Sequence, residues 1–99
     1  MQPDDVILVE DYCLKYNIEH TFVFSLEEYG LIELVLVEER KFIPIHQIPA
    51  IEKFSTLHYE LNINLDGIDA ISHLLQKVEA MQEEIRLLKS RLSVYGVGT

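Results

Sequence analysis

The sequence predicts a mainly α fold: a winged helix-turn-helix head with a small β-hairpin wing over residues 1–63, then a long C-terminal coiled-coil helix with a short flexible tail over 64–99. Three observations carry this. Two short amphipathic segments joined by a tight connection come first. Two β-prone runs around a polar turn follow them directly. An unbroken heptad stripe fills the last third of the chain.

The elements follow in order. Val6 to Val9 is a short apolar run after Pro3-Asp4-Asp5, and it reads as a strand or as the lead-in to a helix. From Glu10 to Tyr16, Tyr12, Cys13 and Tyr16 fall at helical spacing, with Asn17 as a stop. A second helix is expected from about Glu19 to Tyr29. Phe22, Val23, Leu26 and Tyr29 share a face, and Gly30 sits where a left-handed residue closes a helix. Two helices so connected make a helix-turn-helix. The run Leu31 to Val37, the turn Glu38-Glu39-Arg40 and the run Lys41 to Ile45 read as a hairpin, and a hairpin in this place is a wing. Pro44 fits an edge or a strand end. Pro49 opens a third helix, with Ile51, Phe54, Leu57, His58 and Leu61 along one side and an end around Asn62 to Asn64. Asn64 is then a natural N-cap for the fourth helix, and Asp66 suits its positive end.

The fourth helix is expected over Leu65 to Leu92. Ile71, Val78, Ile85 and Leu92 occupy successive a positions of a heptad, and Leu74, Met81 and Leu88 the d positions between them. This stripe runs for about 33 Å at 1.5 Å per residue, too far for one small head to cover. A second copy of the chain is the simplest cover, so these seven residues are the expected homodimer seam. Gly96 and Gly98 suggest a frayed end.

Charge is distributed unevenly. Residues 1–40 hold ten acids against Lys15 and Arg40, a balance of −8; residues 41–99 hold seven acids and six bases, a balance of −1. Affinity for duplex DNA rests largely on Lys and Arg neutralising phosphates. A head of this sign repels a duplex and attracts a basic protein surface. The single cysteine, Cys13, allows no internal disulfide, which fits a reducing cytosol. No signal peptide is expected at the N-terminus, and no apolar run exceeds the length of Leu34 to Val37, far short of the ~20 residues of a membrane span.

Catalytic chemistry finds no support. The pairs Glu27-Glu28, Glu38-Glu39 and Glu83-Glu84 read as solvated faces or partner contacts, since acid–base work needs a cleft and perturbed pKa values. His20, His46, His58 and His73 include no i, i+4 pair for a metal, and Cys13 has no second thiol nearby. Gly30 and Gly67 are isolated and form no phosphate loop. A serine nucleophile would need a partnered His and acid, and Ser25, Ser55, Ser72, Ser90 and Ser93 show no such context. No metal and no cofactor is expected.

In this order the residues resemble the MerR-like winged helix-turn-helix superfamily. The stretch Leu57-His58-Tyr59-Glu60-Leu61-Asn62-Ile63-Asn64-Leu65-Asp66-Gly67-Ile68-Asp69-Ala70-Ile71 is similar, more specifically, to the CbpM-type chaperone modulators. In both groups a short third helix turns through a tight apolar junction into the long dimer helix. Glu27-Glu28-Tyr29-Gly30-Leu31 adds to the match. DNA-binding MerR proteins usually carry an Arg and aromatic residues just before that segment; here Phe24-Ser25-Leu26 stands instead. One trace of the DNA-binding pattern survives in the wing, where Arg40-Lys41-Phe42 resembles the family's Arg-x-Tyr.

The resemblance implies a non-enzymatic, cytoplasmic chaperone modulator that binds the J-domain of a CbpA/DnaJ-like co-chaperone and restrains its work with DnaK. A J-domain presents a basic helix, so the acidic head has the right sign to compete for it. The expected partner-binding residues are Glu10, Asp11, Glu27, Glu28, Glu33, Glu38 and Glu39. The alternative is a MerR-like DNA-binding transcriptional regulator with Arg40 and Lys41 on phosphates. The resemblance also suggests an antiparallel seam, whereas the heptad composition favours a parallel one; the polarity stays open.

Overall fold

A computed structural model describes residues 5–94 and 96. The chain divides into two compact units, Met1–Asp69 and Ala70–Thr99.

In the first unit, the opening apolar run is both strand and lead-in: β1 (Val6–Leu8) passes straight into α1 (Val9–Tyr16). α1 buries Val9, Tyr12 and Cys13. It ends where Asn17 takes φ +54°, a conformation Asn tolerates, and the N–H groups of Asn17 and Ile18 close on the Cys13 carbonyl. α2 (His20–Glu28) buries Phe22, Val23 and Leu26. Its end is a Schellman motif. Gly30 at φ +75° donates to Glu27 O at 2.9 Å, and Leu31 donates to Leu26 O at 2.9 Å.

The wing is shorter than the apolar runs suggest. β2 covers only Val35–Val37, and β3 covers Arg40–Pro44. Leu31 to Leu34 are not strand, although Ile32 is buried in the core. The ladder between β2 and β3 stops at Val35 against Phe42. Pro44, two residues on, has no N–H to extend it. On its other side β3 pairs antiparallel with β1, Leu8 to Phe42 and Val6 to Pro44. The sheet order is therefore β1-β3-β2, with β3 in the middle and Pro44 at its end.

The third helix is not one continuous α-helix. A 3₁₀ turn at Ile45–Gln47 leads into α3 (Ile48–Ser55), with Pro49 in the first turn, and a π-helical turn occupies Thr56–Glu60. The π turn swings the last side chains onto α2. The His58 ring stacks on Phe22 with centroids 4.6 Å apart, and His58 Nδ1 lies 3.0 Å from Ile63 O. The Tyr59 hydroxyl accepts the Glu19 N–H at 3.1 Å, supplying a partner at the start of α2. Asn62 then takes φ +56°, and Asn64 caps α4 (Leu65–Val94) by accepting the Gly67 N–H on Oδ1 at 2.8 Å.

The core draws buried side chains from α1, α2, β3, α3 and the start of α4, with Ile32 from the segment before β2. Val9, Val23, Leu26, Ile43, Ile51 and Ile68 are almost fully buried. Each such side chain contributes roughly 1.5–3 kcal/mol by leaving water. Phe22, Val23 and Leu26 anchor α2 in this core, and Ile43 anchors β3 of the wing.

The second unit begins inside α4, which continues as a regular helix to Val94. Of the expected tail, Gly96 has φ +70°, and Gly98 lies outside the described residues. No helix among the described residues is long and apolar enough to cross a membrane.

Candidate functional site

Between α2 and the wing lies a groove of about 490 Å³. α1 supplies Val9 and Glu10, and α2 supplies Phe24, Glu27 and Glu28. Leu36 comes from β2, Glu39 from the hairpin turn, and Arg40 and Lys41 from β3. Four carboxylates and two bases give the lining a formal charge of −2. Its floor is apolar, with Val9, Phe24 and Leu36, and Leu36 is 65% exposed.

Both wing bases are engaged by the chain's own carboxylates. The Lys41 ammonium sits on Glu27 Oε1 and lies 5.8 Å from the centroid of the Phe24 ring. That pair is partly sheltered, with the Lys41 and Glu27 side chains 38% and 27% exposed. Arg40 Nη2 stands 3.8 Å from Glu10 Oε2, with both side chains more than half exposed. Open pairs of this kind contribute little, about 0–1 kcal/mol; the sheltered one is screened less.

The turn between the strands is unusual. Glu38 and Glu39 both take positive φ, +48° and +68°. A two-residue hairpin of this hand normally uses Asn-Gly or Asp-Gly. A non-glycine residue in that region costs about 1–2 kcal/mol. Two glutamates here exchange stability for charge at the wing tip.

The groove thus gathers four of the seven acids expected to meet a partner: Glu10, Glu27, Glu28 and Glu39. Asp11 faces a separate hollow of about 200 Å³ with Ile7, Tyr12, Lys15, Tyr16 and Ile48. Glu33 and Glu38 do not line the groove; the Glu33 N–H is held by Gln47 Oε1 at 3.2 Å. Arg40 and Lys41, the alternative phosphate contacts, lie in the groove wall and are ion-paired. Reasoning from charge alone missed the floor. Phe24 on α2 and Leu36 on β2 lie twelve residues apart, and nothing local signals that they line one groove.

The heptad residues of α4 form an exposed strip. Leu74, Val78, Met81, Ile85, Leu88 and Leu92 are each between 43% and 59% exposed, and Ile71 is half-buried. Contiguous exposed apolar surface of this kind marks interaction sites. Beside it Arg86 clasps both oxygens of Glu83, at 2.6 and 3.0 Å, and holds that carboxyl below its usual value.

Cys13 is buried, and burial pushes its thiol up, away from the thiolate that redox chemistry needs. Among the described residues, no three His, Cys, Asp or Glu side chains converge to hold a metal ion.

Comparison with known proteins gives the family. The sequence model of the family described as "MerR HTH family regulatory protein" matches residues 7–90. The chain is also similar to a protein of Pseudomonas putida (strain W619) named "Chaperone modulatory protein CbpM". The two are 27% identical over 81 residues, spanning 81% of this chain and 80% of that protein. No solved structure matches the chain.

Proposed function

The chain belongs to the MerR HTH family of regulatory proteins, and within that fold we propose a non-enzymatic chaperone modulator. It binds the J-domain of a CbpA/DnaJ-like co-chaperone in the groove between α2 and the wing, and so restrains that co-chaperone. The observation that carries this reading is the inverted charge of the groove. The surface that would lie along a duplex bears four carboxylates, and its two bases are already taken by Glu10 and Glu27. Phosphates find repulsion there, while a basic helix finds carboxylates around an apolar floor. Similarity to a protein named as a chaperone modulator points the same way. The exposed heptad strip of α4 supports a homodimer within this reading, and the work takes place in the cytoplasm.

The experiment is a pair of titrations, one with the J-domain and one with genomic duplex fragments, each at low and at physiological salt. The expected result is J-domain binding that weakens with salt, and no selective duplex binding. Submicromolar, sequence-selective binding to a duplex, with the J-domain ignored, would overturn the reading in favour of a transcriptional regulator using Arg40 and Lys41.

A further inference from the structure

The groove already contains cations, and the protein supplies them itself. Lys41 crosses from β3 to Glu27, with its ammonium near the face of Phe24. Arg40 reaches across to Glu10. Exposed Leu36 and half-buried Phe24 offer apolar surface in the same groove. An alkyl ammonium on a carboxylate, close to an aromatic ring and an apolar floor, is the contact that a lysine from another protein would make here.

We infer that Lys41, and to a smaller extent Arg40, act as in-chain competitors that a basic amphipathic helix of the partner must displace from Glu27 and Glu10. This rests on the reading that the groove docks a protein, and it adds how the groove sets its affinity. The partner's Lys or Arg takes over Glu27, and an apolar side chain one helical turn away covers Leu36. The two wing bases hold the groove at −2. Without one of them it stands at −3, and without both at −4. A more negative groove attracts a basic partner faster and loses more affinity as salt rises.

The sign of the effect separates this role from the others open to Lys41. A residue that contacts DNA phosphates weakens DNA binding when its charge is removed. A residue that only braces the wing weakens every interaction of the groove when it is removed. Of these roles only a competitor strengthens binding by leaving, and the part that survives at high salt separates direct competition from the through-space effect of one lost charge. Lys41 should matter more than Arg40, because its pair is the more sheltered.

The test uses the full chain carrying Lys41→Met, Arg40→Gln or both. Each protein is titrated at two salt concentrations with a synthetic helical peptide bearing Lys and Arg at i and i+4 around a Leu, and separately with the J-domain. Amide spectra of β3 report whether the wing is intact; should Lys41→Met lose the wing, Arg40→Gln and Lys41→Gln decide. The expected result is peptide binding tightened about threefold to tenfold by Lys41→Met and less by Arg40→Gln, with a steeper salt dependence in each. Unchanged or weaker peptide binding by the folded variants would overturn the inference, as would a peptide bound by no form of the chain. If the J-domain binds the wild type but no tighter to the variants, the inference falls and the J-domain reading stands. If the peptide shows the tightening and the J-domain binds none of them, the inference stands and that reading falls.

Discussion

The Tyr29 hydroxyl donates to Asp66 Oδ1 at 2.7 Å, tying the C-cap of α2 to the first turn of α4. This bond holds the Tyr29 phenol above its ordinary value of 10.0, with neighbouring acids adding to the shift. Tyr12 is also raised, chiefly by burial. Two of the five tyrosines should therefore titrate late in an ultraviolet pH titration. Because the folded values lie above the unfolded ones, the stabilisation is complete below about pH 10 and is lost as pH rises through the raised values. Tyr29→Phe should remove one late component and shrink the alkaline loss of stability; a titration curve unchanged by this substitution would contradict the assignment.

The junction before α4 makes a second prediction. A Cβ on Gly67 would lie 2.7 Å from Ile63 Cγ2 and 3.2 Å from the capping oxygen of Asn64. Ile63 is β-branched and yields poorly. Gly→Ala inside a helix ordinarily gains up to about 1 kcal/mol, so here the sign should reverse. Gly67→Ala should destabilise by about 1–2 kcal/mol, and Asn64→Ala by about 1 kcal/mol through the lost cap. Thermal melts, at roughly 4–8 °C per kcal/mol for a domain of this size, will read both; a higher melting temperature for Gly67→Ala would contradict the packing described.

Glu38→Asn together with Glu39→Gly should relieve two positive-φ glutamates and stabilise the head by about 1–2 kcal/mol. The same double change removes two negative charges from the wing. The account expects a higher melting temperature with weaker J-domain binding, and a rise in both would show that the wing-tip charge has no part in docking.

Replacing Ile85 and Leu88 together by Asp tests the proposed dimer. Unpaired charge in a dry seam is very costly, so the double variant should be monomeric or unfolded. Sedimentation analysis decides: a wild type that is monomeric at tens of micromolar, or a variant that remains a folded dimer, would assign the exposed strip another use.

What was legible in the sequence followed local rules. Asn17, Gly30 and Asn64 stop or start helices where their backbone or side-chain chemistry requires it, and each does so in the structure. What was hidden depends on residues far apart in the chain. The pairing of Val6 with Pro44 across the sheet leaves no local trace. Nor does the π turn that brings Tyr59 to Glu19, forty residues away. The run Leu31 to Leu34 reads as a strand, but Ile32 buried in the core and Leu31 and Leu34 packed against it account for its apolar character without strand pairing. In the site, charge counting found the acids but not their grouping. Glu10 and Glu27 meet their bases thirty and fourteen residues along the chain, and only the fold decides that Asp11 lies apart from them.

The central claim is that the groove between α2 and the wing is where the partner docks. Amide chemical-shift mapping with unlabelled J-domain tests it most directly, with Glu28→Lys as the control because Glu28 is exposed and lines the groove outside the Lys41–Glu27 and Arg40–Glu10 pairs. The account predicts shifts concentrated on Val9, Phe24, Glu27, Glu28 and Leu36 to Lys41, diminished in the Glu28→Lys protein. Shifts confined to the outer face of α1 around Leu14 and Tyr16, or to α4 alone, would contradict it.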